Sequence, residues 1–190
     1  NRILLNNKDH TITIPCQNAS QNRLIKDIEL SADNKVVKKL LMTIHAAYSK
    51  APEFKQVYPL IENIFNSGCS TISELAIRSI LDICDYLDIS AEFKTSSESY
   101  NNIDLKKGDR LIDICQIEQK GVYINPEGGK AIYTKEYFKE KGVNLQFLTS
   151  KKSEYSQFKQ PFVPWLSIID VLMFNSKADI VGLLGKYELT

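Results

Sequence analysis

From Lys107 to Leu148 the apolar residues change period in a regular rhythm, and this stretch limits the fold more than any other. A helical stripe over Lys107 to Gln119 gives way to a β-rich run, Val122 to Ile124, then to a second helical stripe, Thr134 to Lys141, and a second strand, Asn144 to Leu148. Gly121 and Gly142 stand where helix C-caps belong. Strands separated by helices pair in parallel through right-handed crossovers. The expected fold class is therefore α/β: a mostly parallel sheet with flanking helices, plus a helical hairpin or bundle insertion and a short helical C-terminal tail.

The insertion is read over about residues 35–88. Val37, Leu40, Leu41, Ile44 and Tyr48 repeat at three and four, and Ala51-Pro52 stops the helix because the residue before a proline is pushed out of the α region. Phe54, Val57, Leu60, Ile61, Ile64 and Phe65 keep the same period up to Ser67-Gly68, so the two helices form a hairpin. Thr71 with Glu74 spells a capping box ahead of the stripe that runs from Ile72 to Leu87.

Outside these helices the signals are shorter. Thr11 to Pro15 alternates β-branched residues and ends in proline, as an edge strand does; Leu24, Ile25 and Ile28 read as a second extended segment, and Ala91 to Thr95 as a short strand. Ser96 to Asn102 is a polar loop of the kind that carries sites. A polar stretch, Thr149 to Lys159, leads to Pro161, Pro164 and Trp165, expected to pack the tail, and to short helices at Leu166 to Phe174 and Lys177 to Leu184. The chain opens at Asn1 without methionine, and Asn1 to Leu4 read as the middle of a strand, so a natural start is expected upstream. One domain is expected over 1–190, with a helical part at about 35–88, a βα part at about 91–149 and a helical tail at 160–190.

Lys plus Arg exceed Asp plus Glu by one, 24 against 23, which offers no electrostatic reason for nucleic acid or an anionic membrane as partner. The longest apolar run, Leu166 to Phe174, is broken by Ser167 and Asp170 and falls far short of the ~20 residues of a membrane span. Cys16, Cys69, Cys84 and Cys115 are too scattered for a zinc knuckle or a dithiol motif, and read as reduced thiols in a cytoplasmic protein, with Cys84 and Cys115 on apolar helix faces. His10 is read in a turn between strands and His45 beside Ile44 on a helix; neither has a partner at ligand spacing, so no metal site is expected. With no Gly-x-Ser-x-Gly elbow either, catalysis would fall to Asp, Glu, Lys, Arg, Tyr or a cysteine.

Three segments could carry that chemistry. Tyr123 to Lys130 follows a strand and precedes a helix: the amides of Gly128 and Gly129 can approach an anion, with Lys130 as a point charge and Asn125 and Tyr133 beside them. The competing reading is a plain Pro-Glu-Gly-Gly turn. In Lys106 to Asp113, Asp109 is either a helix cap or a site carboxylate, and Arg110 in the first turn is unfavourable for the helix dipole and asks for an anionic partner. In Gln160 to Asp170 with Asn175, Asp170 faces either water or a site.

Taken in order, these segments resemble the WbqC-like family. The likeness is carried by Asn1-Arg2-Ile3, Ile25-Lys26-Asp27-Ile28 and Ala47 to Phe54, and above all by Lys107-Gly108-Asp109-Arg110-Leu111, Tyr123 to Tyr133, and Leu166 to Asp170 with Phe174-Asn175. The resemblance implies a cytoplasmic role in making O-antigen or related surface glycans, with a nucleotide-activated amino sugar as small-molecule substrate. Under it, Arg110, Asn125, Gly128, Gly129, Lys130 and Tyr133 are the substrate and phosphate residues, with Asp109 and Asp170 as base or orienting groups. Acyl or aminoacyl transfer is the first expectation; a nucleotide-binding ligase or nucleotidyltransferase and a non-catalytic subunit of a glycan-synthesis complex are the rivals. No cofactor is assigned, and a homo-oligomer is allowed.

Overall fold

The computed structural model describes every residue except Ala32, Lys159 and Gln160, and, for Asn34, the backbone only. The junction of the polar stretch with the tail, at Lys159 and Gln160, thus lies outside the described residues. The chain divides into two compact units, Asn1–Ala91 with Ser153–Leu183, and Glu92–Lys152 with Leu184–Thr190.

The first unit opens with an antiparallel hairpin, β1 (Arg2–Leu5) and β2 (Lys8–Thr11). Its two-residue loop, Asn6-Asn7, has both φ angles positive, 54° and 59°, the conformation asparagine tolerates and a tight hairpin requires. That turn fixes the register, so β2 ends at Thr11, where the Thr11 to Pro15 strand was expected to begin. His10 consequently lies within β2 opposite Ile3, not in a turn. Leu24 to Ile28 is not extended: Ile25–Asp27 winds into a 3-10 turn, with the Asp27 and Ile28 amides donating to the Leu24 and Ile25 carbonyls.

Three helices follow as the periodicity requires: α1 (Asn34–Tyr48), α2 (Phe54–Phe65) and α3 (Ile72–Tyr86). Asp33 caps α1 by accepting from the Lys35 amide, and the Thr71/Glu74 capping box starts α3. Gly68, at φ +73°, turns the chain between α2 and α3. Ile3, Ile44, Tyr48, Val57, Ile61, Leu172, Met173 and Ile180 are almost wholly shielded and form one core under the hairpin and helices. The tail supplies α6 (Ile168–Phe174) and α7 (Lys177–Leu184). Trp165 is not the packing residue expected of it. Its φ is +59° and it remains 59% exposed, while its neighbours Val163 and Leu166 pack on the core.

In the second unit α4 (Lys107–Ile117), β3 (Val122–Pro126), a 3-10 turn (Glu127–Ala131), α5 (Lys135–Glu140) and β4 (Asn144–Ser150) come in the expected order. α4 closes on Gln119 at φ +53°, with the Lys120 amide donating to the Cys115 carbonyl, so Gly121 is not its cap; Gly142, at φ +80°, does serve α5. Ala91 to Thr95 is not a strand, and Lys94 folds back onto Glu92 at 2.8 Å.

The architecture is mixed α/β with seven helices among the described residues, but it is not built on a mostly parallel sheet. β3 and β4 pair in parallel; β1–β2 and β4–β5 pair antiparallel, β5 being Tyr187–Leu189 near the chain end. The alternation rule predicted the crossover correctly. It could not count strands, and the remaining partner is supplied by three residues with no room for a stripe. Ile112, Cys115, Phe138, Val143, Leu145 and Phe147 form the core of this unit, from α4, α5, one face of β4 and, at Val143, the residue just before it.

Candidate functional site

β3 delivers its carboxyl end into the loop Glu127–Ala131, and two side chains determine that loop's shape. The Asn125 side-chain amide donates to the Tyr123 hydroxyl at 2.8 Å, which turns its carbonyl toward Gly129. A Cβ at Gly129 would lie 2.1 Å from Asn125 Oδ1 and 2.8 Å from its Cγ, so no other residue fits there without displacing Asn125. Gly128 is the opposite case: a Cβ there meets no heavy atom within 4 Å. One glycine is demanded by packing and the next opens onto free space.

Lys130 holds Glu127 Oε1 at 3.1 Å and lies over the Phe147 ring, 5.8 Å from its centroid. Both charges are about half exposed, so the pair is a weak, exchangeable one. Tyr133 closes the loop: its amide donates to the Gly129 carbonyl at 2.9 Å, and its ring meets Phe138 edge-on at 5.8 Å.

The buried Phe138 is the hub of this unit. Tyr123 stacks on it at 5.7 Å, Tyr137 touches it at 6.4 Å, and Gly108 in the first turn of α4 is held so close that a Cβ would meet Phe138 and Tyr137 at 3.4 Å. The Tyr137 hydroxyl donates to the exposed Asp109 carboxylate, and this bond pushes the phenol up in pKa. Asp109 makes no side-chain cap on α4; the N-cap is Lys106. The first turn of α4 and the loop after β3 are thereby tied to the same aromatic cluster.

Arg110 finds neutral partners where an anion was expected. Its Nε donates to Asn102 Oδ1 at 3.1 Å and its Nη2 to Ser97 Oγ at 3.0 Å; Asn102, itself buried, donates onward to Asp113 Oδ2 at 2.8 Å. The polar loop singled out in the sequence thus acts by aiming a guanidinium. The sequence marked the loop that holds Ser97 and Asn102 but not their link to Arg110, and Tyr137 escaped it altogether, since no spacing connects these residues to Arg110 or Asp109.

Asp170 belongs to the first unit and the other seven candidate residues to the second. It has no exposed surface. Tyr48 donates to Oδ1 at 2.7 Å, and Tyr155 and Gln157 donate to Oδ2 at 2.6 and 2.9 Å. Tyr48 in turn accepts from the Leu4 amide at 2.8 Å, and Gln157 exchanges hydrogen bonds with the Val163 backbone. Burial lifts the carboxyl above its usual range, and the donors bring it part of the way back. Burial and the same carboxylate push both phenols far up, so they stay protonated donors.

The four cysteines are free thiols, and burial raises that of Cys115. Among the described residues no cluster of three or more His, Cys, Asp or Glu is placed to hold a metal ion, and no helix is long and apolar enough to cross a membrane.

The chain belongs to the WbqC-like protein family, whose sequence pattern matches residues 1–181. No curated protein and no solved structure matches it.

Proposed function

We propose that this WbqC-like protein is an enzyme of O-antigen or related surface-polysaccharide synthesis that transfers an acyl or aminoacyl group to the amine of a nucleotide-activated sugar. The family supports the pathway, and the second unit supports a site. The observation that carries the reading is the Phe138 cluster, which ties Asp109's helix turn and the Gly128-Gly129 loop to one end of the sheet. In open α/β sheets ligands bind beyond the carboxyl ends of strands, where this loop lies.

In this reading Lys130 exchanges Glu127 for a substrate phosphate, a step made easy by their exposure. Arg110, aimed by Asn102 and Ser97, takes a second phosphate oxygen. The open side of Gly128 admits the phosphate to the backbone, Gly129 and Asn125 fix the loop, and Tyr133 borders the sugar. As the amine nitrogen bonds to the acyl carbon and the donor's leaving group departs with its bonding pair, Asp109 accepts the proton that nitrogen sheds. Asp170, in the other unit, takes no part in this step: a shielded carboxylate with three donors is suited to holding the structure of the first unit. On this reading the protein works in the cytoplasm.

A thermal-shift screen against UDP-, dTDP- and GDP-sugars, ATP and acyl-CoA tests it. A ligand at a hundred times its Kd adds about 2.7 kcal/mol of stability. The expected result is a sugar-nucleotide shift that disappears in Lys130→Ala and Arg110→Ala. A shift with ATP alone, accompanied by pyrophosphate release, would replace this reading with the ligase one. No shift with any ligand would leave the assembly-subunit reading.

A further inference from the structure

β3 is an end strand of the sheet β3-β4-β5. The Asn144 amide donates to the Gly121 carbonyl at 2.8 Å while Asn144 stands opposite Val122, and this fixes the alternation of a parallel ladder. The backbone groups of Gly121, Tyr123 and Asn125 point to β4; those of Val122 and Ile124 point outward. Pro126, which lacks an N–H, falls in the outward set, where its missing donor breaks no bond of this sheet.

The side chains follow the same alternation. Tyr123 packs on the core under α4 and α5, whereas Val122 and Ile124 lie on the other face and are 48% and 47% exposed. Parallel strands are ordinarily buried on both faces, and an edge free of charge is the kind that recruits another strand. β3 and β4, VYINP and NLQFLTS, carry no charged side chain.

We propose that two copies of this chain pair through the outer edges of their β3 strands, antiparallel about a two-fold axis, giving one sheet ordered β5-β4-β3-β3-β4-β5. Charge selects this occupant. A two-fold interface sets residue i of one copy against residue j of the other and j against i, so a strip without charges meets no like-charge repulsion. The charges that flank β3 are of opposite sign, Lys120 before it and Glu127 after it. Antiparallel pairing brings the Lys120 end of one strand beside the Glu127 end of the other, at both ends of the interface. The outward amides and carbonyls of Val122 and Ile124 then gain partners, and the apolar face doubles in width. The inference is independent of the enzymatic reading.

Light scattering or sedimentation of the full chain tests it, together with hydrogen exchange. The expected mass is twice 21.6 kDa for the native chain and 21.6 kDa for Ile124→Lys, with the far-UV circular dichroism unchanged. In the native dimer the Val122 and Ile124 amides exchange at least about tenfold more slowly than in the variant, while the Tyr123 amide, bonded to β4, is protected in both. A 21.6 kDa species at every concentration, a dimer that survives Ile124→Lys, or unprotected Val122 and Ile124 amides in the native chain would each overturn the proposal.

Discussion

Asp170 and the loop from Asn125 to Lys130 were both read from the sequence as candidate sites, and the structure gives them opposite physical characters. Asp170 is sealed and accepts three hydrogen bonds from groups that tie β1, α1 and the tail together. The loop keeps Gly128 open and its charges exposed, with a lysine whose partner is easily exchanged. The difference teaches where to look for binding. Polar groups whose partners are all internal and buried stabilise the fold; those with an open approach and a weak partner are available to a ligand.

Substitutions should separate the two. The largest effect is expected at the sealed cluster: Asp170→Ala leaves two phenols and an amide without their acceptor, and a loss of at least about 3 kcal/mol is expected in urea denaturation. A cost below about 1 kcal/mol would break the contrast, because the hub would then not hold the first unit.

Gly129→Ala comes next. The new methyl displaces Asn125, and about 1–3 kcal/mol should be lost. Adding Asn125→Ala removes the obstructing atoms, so a double-mutant cycle should show the two changes to be strongly coupled. Additive costs would mean that Asn125 does not shape the loop.

Asp170→Asn sharpens the comparison through pH. Burial raises the folded-state pKa of Asp170, so the folded protein holds this proton more tightly than the unfolded chain does. Its contribution is complete below the ordinary carboxyl value of about 4 and is lost as pH rises through the raised value. Asparagine does not titrate. The stability gap between the native chain and Asp170→Asn should therefore narrow from about pH 4 upward, and a gap that widens would contradict the assignment.

Much of this was legible in the residues, for identifiable reasons. The α3 capping box, the three-and-four stripes and the strand after Gly142 are local signals, and local signals need no partner to be read. The Asn6-Asn7 hairpin turn was not read, and the β-branched run from Thr11 drew the second strand too far along the chain. The sheet was misjudged because strand count depends on β5, a pairing between distant segments. Asp170 was found as a residue but its burial was not, since its donors lie 122 and 15 residues away for the two tyrosines. Gln119 took the left-handed position expected of Gly121 because the Lys120 amide reaches back to Cys115 at that point.

The smallest expected effect on stability belongs to Gly128→Ala, whose methyl would point into open space, and the same variant tests the central claim most directly. Thermal shifts of the native chain and Gly128→Ala would be measured side by side against the sugar nucleotides. The account predicts midpoints within about a degree of each other without ligand and loss of the ligand shift in the variant alone, because the methyl occupies the phosphate's approach. An undiminished shift in Gly128→Ala would contradict it and remove this loop from the site.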